Sequence, residues 1–204
     1  MAAQQDIVNA KTGINSDELF WLDPWSAEGQ AASAKLMPSL HDLRVHAEQA
    51  IVLLDQARQQ SPALSEPDAL TAMDLGARRL DLIGLKFQLS QEMASIYAQA
   101  FSQQHDAKQR SATDNMLSEI SSGNGRCEDL RDAYSALKSE YTQVWLSENR
   151  PDWLNNVTVR YDLQIEQWQR RALQFQTAIR TWNNGQDLPP AASLGLPAPA
   201  ESAP

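Results

Sequence analysis

Residues 145–169 read WLSENRPDWLNNVTVRYDLQIEQWQ, and how they divide decides the fold. Trp145, Trp153, Trp168 and Tyr161 fall within 25 residues, around a single Asn149-Arg150-Pro151 break. A residue ahead of proline is pushed out of the α region, so a helix carrying Val144 and Trp145 has to end before Pro151. Asn155 or Asn156 can then cap the next helix. That helix has the most regular apolar seam in the chain: Val157, Tyr161, Trp168, Ala172, Phe175, Ile179 and Trp182. It is expected to stop at Asn183-Asn184-Gly185, where the glycine suits the left-handed residue after a helix end. The stretch therefore predicts a corner between two helices, with Trp145 and Trp153 packed on neighbouring helices and Trp168 in the core. Arg150 is placed to bond the carbonyls left open at the end of the preceding helix. The same residue types also suit a surface on which a sugar ring stacks. Trp145, Asn149, Arg150, Trp153 and Tyr161 are accordingly the candidate carbohydrate or interdomain contacts.

Outward from that corner the apolar spacing stays helical. Leu130, Tyr134, Leu137, Tyr141 and Val144 mark a helix from about Arg126 to Ser147, preceded by a Gly-Asn-Gly turn at residues 123–125. MLSEISS before it reads as a short helix, and HDAKQRSATDN as a break. Upstream, Ser65 as cap and Pro67 in the first turn open a helix reaching about Gln103. Two apolar lines run along it: Leu70, Met73, Ala77, Leu80, Gly84, Phe87, and beside them Leu75, Leu82, Leu85, Leu89, Ile96. Two adjacent lines mean a wide buried face. The first long helix carries Leu36, Leu40, Leu43, Ala47, Ile51 and Leu54, with Asp23 as cap and Pro38 as a kink or a new start.

These segments predict an all-α protein: an antiparallel bundle of about four long helices plus one short helix over residues 17–186. Residues 1–16 are expected to be a flexible leader, with Asp17-Glu18 at its irregular end. Residues 187–204, DLPPAASLGLPAPAESAP, are expected to be a disordered Pro/Ala-rich tail.

Net charge is −9. That opposes nucleic acid, whose phosphates demand a basic stripe, and it opposes docking on an anionic membrane. No run approaches the ~18–20 apolar residues of a membrane span. The first residues lack the basic and apolar regions of a signal peptide, although a longer relative could still be secreted or periplasmic.

Constellations that would carry chemistry are weak. The single Cys127 excludes an internal disulfide and a cysteine-based zinc site. His41 and His46 are five apart, roughly 140° around a helix, and do not share a face. Glu128 and Asp129 sit in a helix's first turn, where the dipole explains them. Cys127 gains from the same helix end but has two acidic neighbours and no histidine near it in sequence. Asn156-Val157-Thr158 is formally a glycosylation sequon, though its asparagine is better used as a cap. No metal, cofactor or catalytic residue is expected in this chain.

Four segments together resemble the helical region that follows the catalytic barrel in bacterial glycoside hydrolase family 20, the β-N-acetylhexosaminidases. They are ELFWLDPWSAEGQ, GARRLDLIGLKFQLSQEMASIYAQA, SGNGRCEDLRDAYSALKSEYTQVWLSENRPDWL and VRYDLQIEQWQRR. The likeness runs from about Glu18 to Leu196 and is most specific at W-L-x-E-N-R-P-x-W-L. It implies a non-catalytic accessory domain of an N-acetylhexosaminidase, partnered by a catalytic barrel or a second subunit. Hydrolysis in that family uses the substrate's own acetamido group and an Asp-Glu pair on a barrel strand. Neither the barrel pattern nor that pair is present here, so no catalytic residue carries over. An orphaned interface would leave the isolated chain free to form a homo-oligomer. The rival expectation is a stand-alone helical interaction or scaffold protein with no carbohydrate role.

Overall fold

The regular elements among the described residues are all helical. The computed structural model describes residues 15–60 and 67–197. They form α1 (Ser16–Trp21), α2 (Ala27–Gln60), α3 (Pro67–Gln103), α4 (Arg110–Ile120), α5 (Arg126–Glu148), α6 (Leu154–Asn183) and a 3-10 turn (Ala191–Leu194). Four are long, as the apolar spacing predicts, and the all-α expectation holds.

The boundaries correct several sequence expectations. Asp17-Glu18 is helical. Asn15 caps α1 by accepting from the Glu18 N–H at 2.8 Å, and the Glu18 carboxylate accepts from the Asn15 N–H in return. Ser26, not Asp23, caps α2: its hydroxyl accepts from Gly29 N at 3.0 Å. Asp23 instead builds the turn ahead of it, accepting from Trp25 N at 2.9 Å. A Cβ on Gly29 would lie 1.9 Å from the Asp23 carbonyl oxygen, so only glycine lets the turn close there. Pro38 sits inside α2 without ending it. The Ser65 cap and the leader up to residue 14 lie outside the described residues. α4 begins at Arg110, so RSATDN belongs to it rather than to the break.

Chain contacts define two compact units, Met1–Gln88 with Ala133–Leu163, and Leu89–Asp132 with Gln164–Pro204. The core of the first contains Leu19, Phe20, Trp25, Leu36, Leu40, Leu82, Ile83, Phe87, Tyr134 and Tyr161. Arg44 to Asp81 (2.9 Å) and Arg58 to Asp74 (3.1 Å) tie α2 to α3. The order of these pairs, early with late and late with early, makes the two helices antiparallel.

The second unit packs Met93, Tyr97, Leu117, Ile120, Cys127, Leu130, Trp168, Phe175 and Trp182. Trp168 is fully buried, as its place on the seam predicts. Gly185 follows α6 at φ 87°, and the Gln186 N–H reaches back to Thr181 O at 3.2 Å, which satisfies carbonyls the helix leaves open. The expected disordered tail is corrected over residues 187–197. Leu188, Leu194 and Leu196 are buried, the Tyr97 hydroxyl donates to Pro189 O at 2.6 Å, and Leu188 N donates to Gln104 Oε1 at 2.6 Å. Leucines spaced through a Pro/Ala-rich segment bury enough apolar surface to hold it down. Composition alone concealed them.

Candidate functional site

All five sequence-nominated residues lie in the first unit, but the structure brings only Trp145 and Tyr161 into one cluster. Trp145 stacks on Tyr141, with ring centres 6.1 Å apart. Tyr141 lies 5.8 Å from Tyr161, which meets Trp21 edge-on at 4.9 Å. Phe20 completes the run, 5.6 Å from Tyr161 and 5.2 Å from Tyr134. A ladder of six rings thus extends from the end of α5 to α1. Edge-to-face and offset pairs of this kind add to what area burial alone gives.

The ladder carries a charged cap. The Arg79 guanidinium lies 4.5 Å from the Phe20 ring centre, and that of Arg160 lies 4.4 Å from Trp21. Asp17 bridges both, at 2.7 Å to Arg79 and 3.3 Å to Arg160, and accepts from Trp21 Nε1 at 3.1 Å. Burial pushes the Asp17 carboxyl up, but the Arg79 hydrogen bond and charge, the Trp21 N–H and Arg160 outweigh it, and the net shift is downward.

Beneath the cap lies Lys86, fully buried. Its Nζ donates to Leu19 O at 2.7 Å, Phe20 O at 3.0 Å and Leu22 O at 2.8 Å. These carbonyls sit at the C-terminal end of α1, where a helix leaves acceptors unpaired and its dipole attracts a cation. The Tyr134 hydroxyl adds a second donor to Phe20 O at 2.6 Å. Sequence reading missed this centre. The signal was a lone lysine between Leu85 and Phe87, flanked by both apolar lines of α3.

The other three nominees, and Trp153 above all, depart from expectation. Asn149 and Arg150 are exposed. The Arg150 backbone carbonyl accepts from Trp145 Nε1 at 2.8 Å, in place of the expected side-chain bond to helix-end carbonyls. α6 starts at Leu154, so Asn155 and Asn156 are in its first turn rather than capping it. Trp153 is 77% exposed, with φ at 67°. The expectation that it packs on a neighbouring helix is therefore wrong. Pro151 O and Trp153 O accept from Leu154 N and Asn156 N, and this tight turn aims the indole outward.

Burial drives Tyr134 far above its ordinary value and Tyr161 up to about 12, away from neutrality. The Tyr161 hydroxyl is buried with no hydrogen-bond partner. Cys127, in the second unit, is buried 3.5 Å from the Met93 sulfur. Burial first, then the Glu128 charge, pushes its thiol up to about 12, away from the reactive thiolate form. Among the described residues no group of three or more His, Cys, Asp or Glu could hold a metal, and no helix is long and apolar enough to cross a membrane.

Comparison with protein-family models, curated proteins and solved structures returns no match.

Proposed function

We propose that this chain is the non-catalytic helical accessory domain of a family 20-like β-N-acetylhexosaminidase. In this reading its long helices form one antiparallel bundle, and the Asn149–Trp153 corner docks on the catalytic barrel. The observation that carries it is Trp153, exposed to 77% in a backbone region that costs a non-glycine residue about 1–2 kcal/mol. Strain of that kind persists where the surroundings enforce it and concentrates at binding and switch sites. The corner is also where the chain's resemblance to the family is most specific. Leu146, Val159 and Leu163, each about half exposed, extend the apolar character of this part of the chain.

Calorimetric titration of the chain against a separately expressed family 20 barrel tests the proposal. Saturable binding is expected, weakened at least ~10-fold by Trp153→Ala, with the melting temperature unchanged. The chain alone is expected not to turn over a chromogenic N-acetylglucosaminide. Absence of barrel binding sinks the proposal. If N-acetylglucosamine oligomers instead produce a saturable, Trp153-dependent fluorescence change, the corner is a sugar platform and not a domain contact.

A further inference from the structure

The segment after α6 is held by the second unit the way a bound peptide is held. α6 closes its own end first, with the Gln186 N–H bonded back to Thr181 O at 3.2 Å. Residues 183–187 are all exposed, and Gly185 among them stands at φ 87°. Beyond that joint the segment bonds to itself: Ser193 N to Pro190 O, Gly195 N to Ala192 O and Leu196 N to Ala191 O close its 3-10 turn. Pro190, at φ −55° and ψ 141°, is near the polyproline II conformation. Leu188, Leu194 and Leu196 are buried in the unit. Two anchors of 2.6 Å join them: the Tyr97 hydroxyl donates to Pro189 O, and Leu188 N donates to Gln104 Oε1. Tyr97 belongs to an aromatic group, 5.8 Å from Phe175 and 6.4 Å from Phe101.

We propose that the face under residues 187–197 is a peptide-recognition site, filled in this chain by its own segment, and that it takes a Leu-Pro-Pro segment of a partner protein in the same manner. Three features select that occupant. The first is the chemistry of the segment already there. A Pro-Pro step near polyproline II, its carbonyl held by a tyrosine hydroxyl within an aromatic group, is how proline-rich ligands are read. Leucines at the first, seventh and ninth positions from Leu188 supply the apolar anchors. The second is room that the chain's own segment leaves unused. A groove of about 520 Å³ lies between Pro189 and Leu194 on one side and Leu173, Thr177 and Ala178 of α6 on the other. Leu173 is 53% exposed there, so a bulkier partner segment gains contact that this one does not make. The third is that release leaves α6 intact, because its end is closed before the segment begins. A tethered segment competes at an effective concentration on the order of millimolar. A partner therefore takes the site by binding more tightly than the chain's own segment does.

This inference does not rest on the Trp153 corner. Fluorescence anisotropy with a labelled synthetic peptide of residues 186–197, QDLPPAASLGLP, tests it on the full chain. The triple variant Leu188→Ser, Leu194→Ser, Leu196→Ser empties the site without shortening the chain. It is expected to bind the peptide at least ~10-fold more tightly than the intact chain, whose tethered segment shields the site. A peptide carrying the same three serines should not bind. Tyr97→Phe in the emptied variant should weaken binding about 5-fold, the effect of one hydrogen bond. A folded triple variant that binds the peptide no better than the intact chain overturns the proposal. So does a triple variant that no longer unfolds cooperatively, because the segment is then core and not an occupant. If the intact chain sediments at twice its 22.7 kDa and the triple variant does not, the segment is exchanged between copies and a foreign partner is ruled out.

Discussion

Two corners of the first unit use nearly the same vocabulary and end in opposite states. Residues 21–25 read WLDPW and residues 149–153 read NRPDW. Each breaks a helix with a proline beside an aspartate and closes on a tryptophan. Trp25 is 6% exposed and Trp153 is 77% exposed. Backbone bonding within the turns does not explain the difference, since both close their own bonds, although Trp153 and not Trp25 takes a left-handed backbone. What separates them is help from a distance. The first corner receives Lys86 and Tyr134 on its carbonyls and Arg79 and Arg160 on its rings. The second receives the indole N–H of Trp145, five residues away. Of these two corners, the one whose neighbouring carbonyls are reached by donors remote in sequence is the one that is buried.

That contrast can be broken most forcefully at Trp25. Trp25→Ala removes a buried ring and should cost ~3–5 kcal/mol in urea unfolding. A loss below about 1 kcal/mol would mean that the corner is not held by burial. Lys86→Met is expected to follow at about 3 kcal/mol. The methionine fills the space, but two buried carbonyls and one part-buried carbonyl lose a charged donor. Unchanged stability would assign those carbonyls to other donors. Tyr134→Phe deletes one of two donors to Phe20 O and should cost about 1 kcal/mol, because Lys86 still serves that oxygen. Combining it with Lys86→Met sharpens the test, since the two losses should be non-additive.

Much of this architecture is legible in the sequence, for an identifiable reason. Trp168, Phe175 and Trp182 recur at helical spacing and are buried where that spacing puts them. Gly185 ends α6 in the left-handed conformation expected of it. Periodicity and turn chemistry are local, so one strand of text contains them. Lys86 escapes because its meaning depends on carbonyls 64 to 67 residues earlier. Trp153 escapes because exposure is decided by what fails to arrive. Leu194 and Leu196 escape for a third reason: three leucines among prolines and alanines show no period, yet each finds a buried place.

Smaller effects refine the comparison. The Asp17 carboxyl is lowered on folding, so the stability it contributes is complete above its unfolded value, near 3.9. It is lost as pH falls through the folded value. Urea midpoints of the parent and Asp17→Asn should therefore differ near neutrality and converge below about pH 4. A gap that persists in acid would remove the arginine bridge from the account. Smallest is the exposed corner itself. Trp153→Ala should change stability by less than about 0.5 kcal/mol. Trp153→Gly, released from the left-handed penalty, should gain up to about 1 kcal/mol. A Trp153→Ala loss above about 1 kcal/mol would erase the distinction between the corners.

The Lys86 clamp also sets an order of events. α1 leaves the ribosome before any of its partners exist. Its carbonyls wait for Lys86, 64 to 67 residues later, the Phe20 oxygen for Tyr134, 114 residues on, and Asp17 for Arg160, 143 residues on. Closing loops of that length is entropically expensive and slow beside helix formation. α1 is therefore made before the groups that secure it, and during synthesis Phe20 and Trp21 stay uncovered until those groups follow. For that interval the most deeply anchored end of the folded first unit is its most adhesive part.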